Sequence, residues 1–138
     1  MARLPEQRLW DKARDHLSPP LLLRRVENIV DIGDPDFYAI YSGITTHVEC
    51  KAVDGIPVRP DTPLLGRDCV TREQRNWHFN WRKYGGRSIF LIGIGSRDII
   101  AVDNGHTERI NEMSFAEMLQ VAIAVDWLEL KDYLCGRR

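Results

Sequence analysis

The segment Ser88-Ile89-Phe90-Leu91-Ile92-Gly93-Ile94 constrains this chain more than any other. It is apolar at successive positions rather than alternate ones. That is the pattern of a strand buried on both faces, which forces the chain to supply cover on each side of a sheet. Asp98 to Asp103 (DIIAVD) follows as the expected antiparallel neighbour.

Upstream, Leu4, Leu9, Ala13 and Leu17 recur near helical spacing, Pro5 suits a first helical turn, and Ser18-Pro19-Pro20 stops the helix. Leu21 to Ile32 is rich in Leu, Val and Ile, and Gly33-Asp34-Pro35 breaks it before Asp36 to Tyr41, which predicts two short strands. Ser42-Gly43 is a turn signal, so Asp36 to Tyr41 and Thr45 to Val53 form an expected antiparallel hairpin. GIPVRPDTPLLGRD then holds three prolines and two glycines, which leaves an unusually long loop. Thr71 is the expected N-cap of the next helix, with Gln74 at the capping-box position and Gly85-Gly86 at its end. Finally, Ser114 and Glu117 open a predicted long helix reaching about Leu134. The order, α-β-β-β-loop-α-β-β-α, predicts an α/β mixed-sheet core flanked by helices.

At 138 residues the chain fits one domain, 1–138, with one core. It is 43% hydrophobic and 28% charged, as expected for a soluble globular protein. No apolar run approaches the roughly 20 residues that span a bilayer, and the charged start is unlike a signal peptide, so a cytoplasmic protein is expected. Cys50, Cys69 and Cys135 lack zinc-knuckle spacing, and their odd number suggests reduced thiols. There is no Gly-x-Ser-x-Gly elbow and no P-loop. A formal charge of -1 excludes a generally basic DNA-coating protein. A local patch remains: between Arg67 and Arg87 lie six basic residues and two acidic ones.

Chemistry concentrates at the hairpin. In a strand alternate side chains share a face, so Glu49 and Lys51 point the same way about 6 to 7 Å apart, while Cys50 points to the other. With Asp36 opposite them, two carboxylates and the Cys50 carbonyl form a hard oxygen site suited to Mg²⁺ or Mn²⁺. The lysine can orient an attacking water or stabilise charge on a phosphate. Glu-x-Lys alone equally describes a solvated strand edge with a surface ion pair. Its flanks, FYAIY and HVEC, are apolar enough to make unpaired charge costly.

Gly33-Asp34-Pro35-Asp36-Phe37, followed after a hairpin by Val48-Glu49-Cys50-Lys51, resembles the PD-(D/E)XK nuclease superfamily. The pattern is most similar to compact phage and archaeal members, the VRR-NUC-type nucleases and Holliday-junction resolvases. It covers roughly Val26 to Ile94. The resemblance implies a restriction-endonuclease-like fold, Asp36 and Glu49 as metal ligands together with the Cys50 carbonyl, and Lys51 as the catalytic lysine. It also implies a role near the site for Gln74, whose alternative is the capping box, and an additional upstream acid near the metal, for which Glu27 is preferred because it lies close upstream of Asp36, with Glu6 in the first helix the competing candidate. For Glu27 the alternative is an ion pair with Arg24 or Arg25.

Arg59 in the long loop, with Arg72, Arg75, Arg82 and Lys83 on the following helix, form a candidate phosphate-contacting group or simply a solvated face. Trp77 and Trp81, four residues apart, are expected in the core rather than as a base-stacking platform. His78 is expected to pack or to lie exposed, and His47 shares strand parity with Glu49. The function expected is metal-dependent endonucleolytic cleavage of DNA, structure-selective for branched DNA. Junction resolution requires two sites, hence a homodimer, for which the apolar C-terminal helix is the candidate interface. The alternative is a nucleic-acid-binding or assembly module whose nuclease-like core has lost catalysis.

Overall fold

The computed structural model describes residues 4–26 and 33–137. Helix α1 (Pro5–Leu17) places Leu9, Ala13 and Leu17 on one buried stripe, while Leu4, at the N-cap and outside the helix, is exposed. Strands β1 (Leu22–Arg25), β2 (Phe37–Tyr41) and β3 (Ile44–Val53) form an antiparallel meander, and the Ser42-Gly43 turn between β2 and β3 has φ of 48° and 81°. Two positive-φ residues in a two-residue connection match the twist of the flanking strands. The predicted strand over Leu21 to Ile32 is observed as β1, and its second half lies outside the described residues.

Helix α2 (Arg72–Lys83) starts at Thr71, whose hydroxyl accepts from the Gln74 N–H while Gln74 Oε1 accepts from the Thr71 N–H. It carries the chain over to β4 (Ser88–Ile94), which runs parallel to β3, and β5 (Asp98–Asp103) closes the order β1-β2-β3-β4-β5 antiparallel to β4.

Strand β4 is buried throughout. Its period of two divides the core: Ile89 and Leu91 pack with α1 residues and with Phe37, Val48 and Leu130, whereas Phe90, Ile92 and Ile94 pack with Leu64, Val70, Ile110 and Met118. Each such side chain contributes about 1.5–3 kcal/mol by leaving water. Val48 and Cys50 follow the α1 side, which turns Glu49 and Lys51 to the face that α2 crosses.

The long loop from Asp54 to Val70 is pinned at its end. Asn111 holds the Val70 main chain twice, accepting from its N–H and donating to its C=O, both at 2.9 Å.

The predicted long C-terminal helix is instead two helices, α3 (Phe115–Val121) and α4 (Trp127–Leu134), preceded by a 3-10 helix at Asn104–Arg109. Between them the chain extends against β5: Ile123 N–H donates to Ala101 C=O and Ala101 N–H to Ala124 C=O, both at 2.9 Å. Asp126 then caps α4 by accepting from the Glu129 N–H. Ser114 caps α3 as its spacing with Glu117 predicted.

Candidate active site

The site forms where β2 leaves β3. Pairing with β2 ends at Phe37 opposite Val48, but β3 continues to Val53 along β4. From Glu49 onward one edge of β3 therefore has no strand partner. Asp36, the residue before β2, fills that edge: its Oδ2 accepts the Cys50 main-chain N–H at 2.6 Å. In an extended strand the N–H and C=O of one residue leave by the same edge, so the Cys50 carbonyl also faces the Asp36 side. The Cys50 thiol lies in the core on the α1 face, as its parity predicted.

Glu49 and Lys51 are 1% and 8% exposed, which removes the solvated-edge alternative for this pair. Helix α2 supplies two partners to Glu49. Gln74 Nε2 donates to Oε2 at 3.2 Å, and His78 Nε2 lies 3.3 Å from Oε1. Gln74 thus serves both suggested roles at once, its carbonyl capping the helix and its amide meeting the carboxylate. Burial pushes the Glu49 carboxyl up to about 10, reinforced by Asp36, with Lys51 opposing.

Two neighbouring carboxyl groups beside an outward main-chain carbonyl are a donor set that fits a hard divalent cation. Among the described residues no cluster of three or more His, Cys, Asp or Glu side chains has metal-binding geometry. Asp36, Glu49 and the Cys50 carbonyl could instead contribute as one or two carboxylates with water and substrate oxygens completing an octahedron, the donor chemistry Mg²⁺ takes.

Glu6, on the first turn of α1, shares a cleft of about 190 Å³ with Asp36, Cys50 and Arg25. Desolvation raises its carboxyl, Lys51 pulls it down and Asp36 raises it further. Among the described residues Glu6 thus lies beside Asp36, while Glu27, the preferred candidate for the additional acid, lies outside the described residues. Cys69, at the end of the long loop, is raised by burial with Lys51 opposing.

The basic group is not gathered at this site. Taking the Gln74–His78 face of α2 as reference, about 100° per residue puts Arg75 and Arg82 on its flank and Arg72 and Lys83 behind it. Arg75 donates to Val70 C=O at 2.6 Å, and Arg82 binds Gly105 C=O and Glu108. Arg59 and Arg72 are exposed.

No family model matches the sequence, and no curated protein matches it. Among solved structures, the Holliday junction resolvase Hjc of Archaeoglobus fulgidus superposes with a TM-score of 0.58 over 94% of this chain and 97% of its own, at 12% identity. The two share one fold, a restriction-endonuclease-like mixed sheet flanked by helices. A VRR_NUC domain aligns over 82% of this chain and 100% of its own, at 20% identity and a TM-score of 0.49. Among the described residues no helix is long and apolar enough to cross a membrane.

Within this fold, three residues depart from expectation. His78 is neither exposed nor merely packed: it is fully buried, bonded to Ser88 Oγ at 2.8 Å through Nδ1 as well as facing Glu49. Burial pushes its imidazole down to about 3, with His47 adding to the shift. The available signal was its position four residues after Gln74, on the same helical face. Trp77 and Trp81 stack on each other at 4.8 Å and meet His47, but Trp81 is 38% exposed and neither belongs to a core cluster. Gln74 and His78 occupy the inward face, which leaves the tryptophans at the margin.

Proposed function

We propose that this protein is a divalent-metal-dependent endonuclease hydrolysing DNA phosphodiester bonds. The supporting observation is the Asp36 carboxylate on the Cys50 N–H beside buried Glu49 and Lys51, at the edge where β2 and β3 diverge. Asp36, Glu49 and the Cys50 carbonyl would hold Mg²⁺ or Mn²⁺, which when bound polarises the phosphoryl oxygen and acidifies water. Lys51 places an ammonium on the same strand face as Glu49, where it would orient the attacking water and stabilise charge building on the phosphate. Gln74 holds one oxygen of Glu49, and Glu6 stands beside Asp36 in the same cleft. Attack forms the new P–O bond as the bond to one ester oxygen breaks, and that oxygen leaves protonated.

Branched DNA is the substrate this reading favours, supported by the fold shared with a resolvase. Two symmetric cuts need two sites, and exposed Leu119, Val125 and Leu128 offer an apolar face for a homodimer. Arg59, Arg72, Arg75, Arg82 and Lys83 would contact phosphates away from the scissile bond. The test is purified protein with Mg²⁺ or EDTA on four-way junctions, flaps, single strands and duplex. Paired cuts in junctions, absent in EDTA and in Asp36→Asn, support the proposal. No metal-dependent cleavage of any DNA in the panel refutes it and favours a binding module.

A further inference from the structure

Behind Glu49 runs a buried polar chain whose direction can be derived from its fixed end. Gly86 C=O can only accept, and Asn104 Nδ2 lies 3.1 Å from it, so the amide NH₂ faces that way. The second hydrogen of the same NH₂ points to Ser88 Oγ at 2.9 Å. Ser88 is buried and its other partner, the Asn104 NH₂, is a donor, so the acceptor facing its hydroxyl hydrogen is His78 Nδ1 at 2.8 Å. Nδ1 is then an acceptor, which leaves the ring hydrogen on Nε2, 3.3 Å from Glu49 Oε1.

The other oxygen of Glu49 is oriented by the same reasoning. The Thr71 main-chain N–H can only donate, so the Gln74 atom facing it is the carbonyl oxygen and the amide NH₂ faces Oε2. His78, Ser88 and Asn104 are all buried, so water does not compete for these bonds.

We propose that His78 is a positioning residue, locked by Ser88 and Asn104 as the Nε2–H tautomer, which together with Gln74 fixes the Glu49 carboxylate in the orientation needed to hold the divalent metal. The inference rests on Glu49 being a ligand, as set out above. Gln74 and His78, one helical turn apart on α2, grip the two oxygens of one carboxylate. Outer partners of this kind typically change metal affinity by about 10–100-fold when removed.

The test uses the full chain, with the metal ion alone as probe. Long-range ¹⁵N–¹H NMR on the imidazole reports the tautomer without any activity measurement. His78 is expected as a single Nε2–H form in the wild type and as a tautomer mixture in Ser88→Ala. Mn²⁺ titration calorimetry should show affinity lowered about 10–100-fold in His78→Leu and several-fold in Ser88→Ala. His78→Gln, which can place an N–H near Oε1, should recover most of it. An Nδ1–H tautomer in the wild type overturns the proposal. So does undiminished Mn²⁺ binding in both His78→Leu and Ser88→Ala when Glu49→Gln has lost it. If Glu49→Gln itself binds Mn²⁺ normally, Glu49 is not a ligand, and the nuclease site assignment fails with the positioning role. Ser88→Ala, a single-atom deletion, keeps the test open should His78→Leu not fold.

Discussion

The Cys50 main-chain N–H donates to Asp36 Oδ2 at 2.6 Å, joining the residue before β2 to the strand that carries Glu49 and Lys51. The bond stands in for the strand pairing that stops at Val48, and it brings the Cys50 carbonyl to the same edge as the carboxylate. Structure and candidate chemistry therefore depend on one side chain.

Asp36→Asn and Asp36→Ala should separate those two dependences. Asparagine keeps an oxygen for the Cys50 N–H, so its stability in EDTA should stay near wild type. Alanine leaves that N–H without its acceptor and should lose about 1–3 kcal/mol. Both should lose Mn²⁺ affinity. Urea unfolding in EDTA, paired with calorimetry, checks each half.

The metal-free protein should lose stability as pH rises. Glu49 titrates near 4.5 when unfolded and near 10 when folded, so the folded state holds the extra proton between those values. Its stabilising contribution is complete below about pH 4.5 and disappears as pH climbs through about 10, by up to about 1.4 kcal/mol per pH unit. Glu49→Gln removes this term. In EDTA its Tm should exceed that of the wild type by a margin that widens from pH 5 to pH 9, and Mg²⁺ should narrow the margin by stabilising only the wild type. A margin independent of pH would count against the buried Glu49 carboxyl.

Gly33→Ala should damage both fold and site. Gly33 has φ of 100°, and a Cβ there would sit 2.6 Å from the Glu73 carbonyl oxygen on the first turn of α2. The left-handed backbone alone costs about 1–3 kcal/mol for a residue with a side chain. The clash adds to it by pushing on the turn that carries Gln74. A urea midpoint unchanged from wild type would show that the α2 start does not abut Gly33.

Asp126→Ala distinguishes two short helices from one long one. As the N-cap of α4, Asp126 should cost about 0.5–2 kcal/mol on replacement. Inside a continuous helix the same change would be neutral or stabilising, because alanine is the best helix former. Chemical denaturation decides between them.

What could be read from the sequence was what local rules govern. The continuous run of Ser88 to Ile94 gave a strand buried on both faces, the Thr71 and Gln74 spacing gave a capped helix, and strand parity put Glu49 with Lys51 and Cys50 opposite. The break after Val121 could not be read this way. Phe115 to Leu134 retains helical periodicity, and the helix is interrupted because Ile123 and Ala124 find main-chain partners on Ala101, some twenty residues away. Gln74 was posed as either a cap or a site residue because a sequence does not say that the two ends of one amide serve different partners. His78 was missed for a related reason, since its partners Ser88 and Asn104 reach it only through the fold.

The central claim is tested most directly by single-turnover cleavage of the preferred DNA by wild type and Lys51→Ala, with Mn²⁺ affinity measured in parallel. Wild type should cleave with Mg²⁺ and not in EDTA. Lys51→Ala should cleave at least about 100-fold more slowly while binding Mn²⁺ no more weakly than wild type, since it loses a positive charge beside the ligands and not a ligand. Cleavage by Lys51→Ala at the wild-type rate, or by wild type in EDTA, would contradict the account.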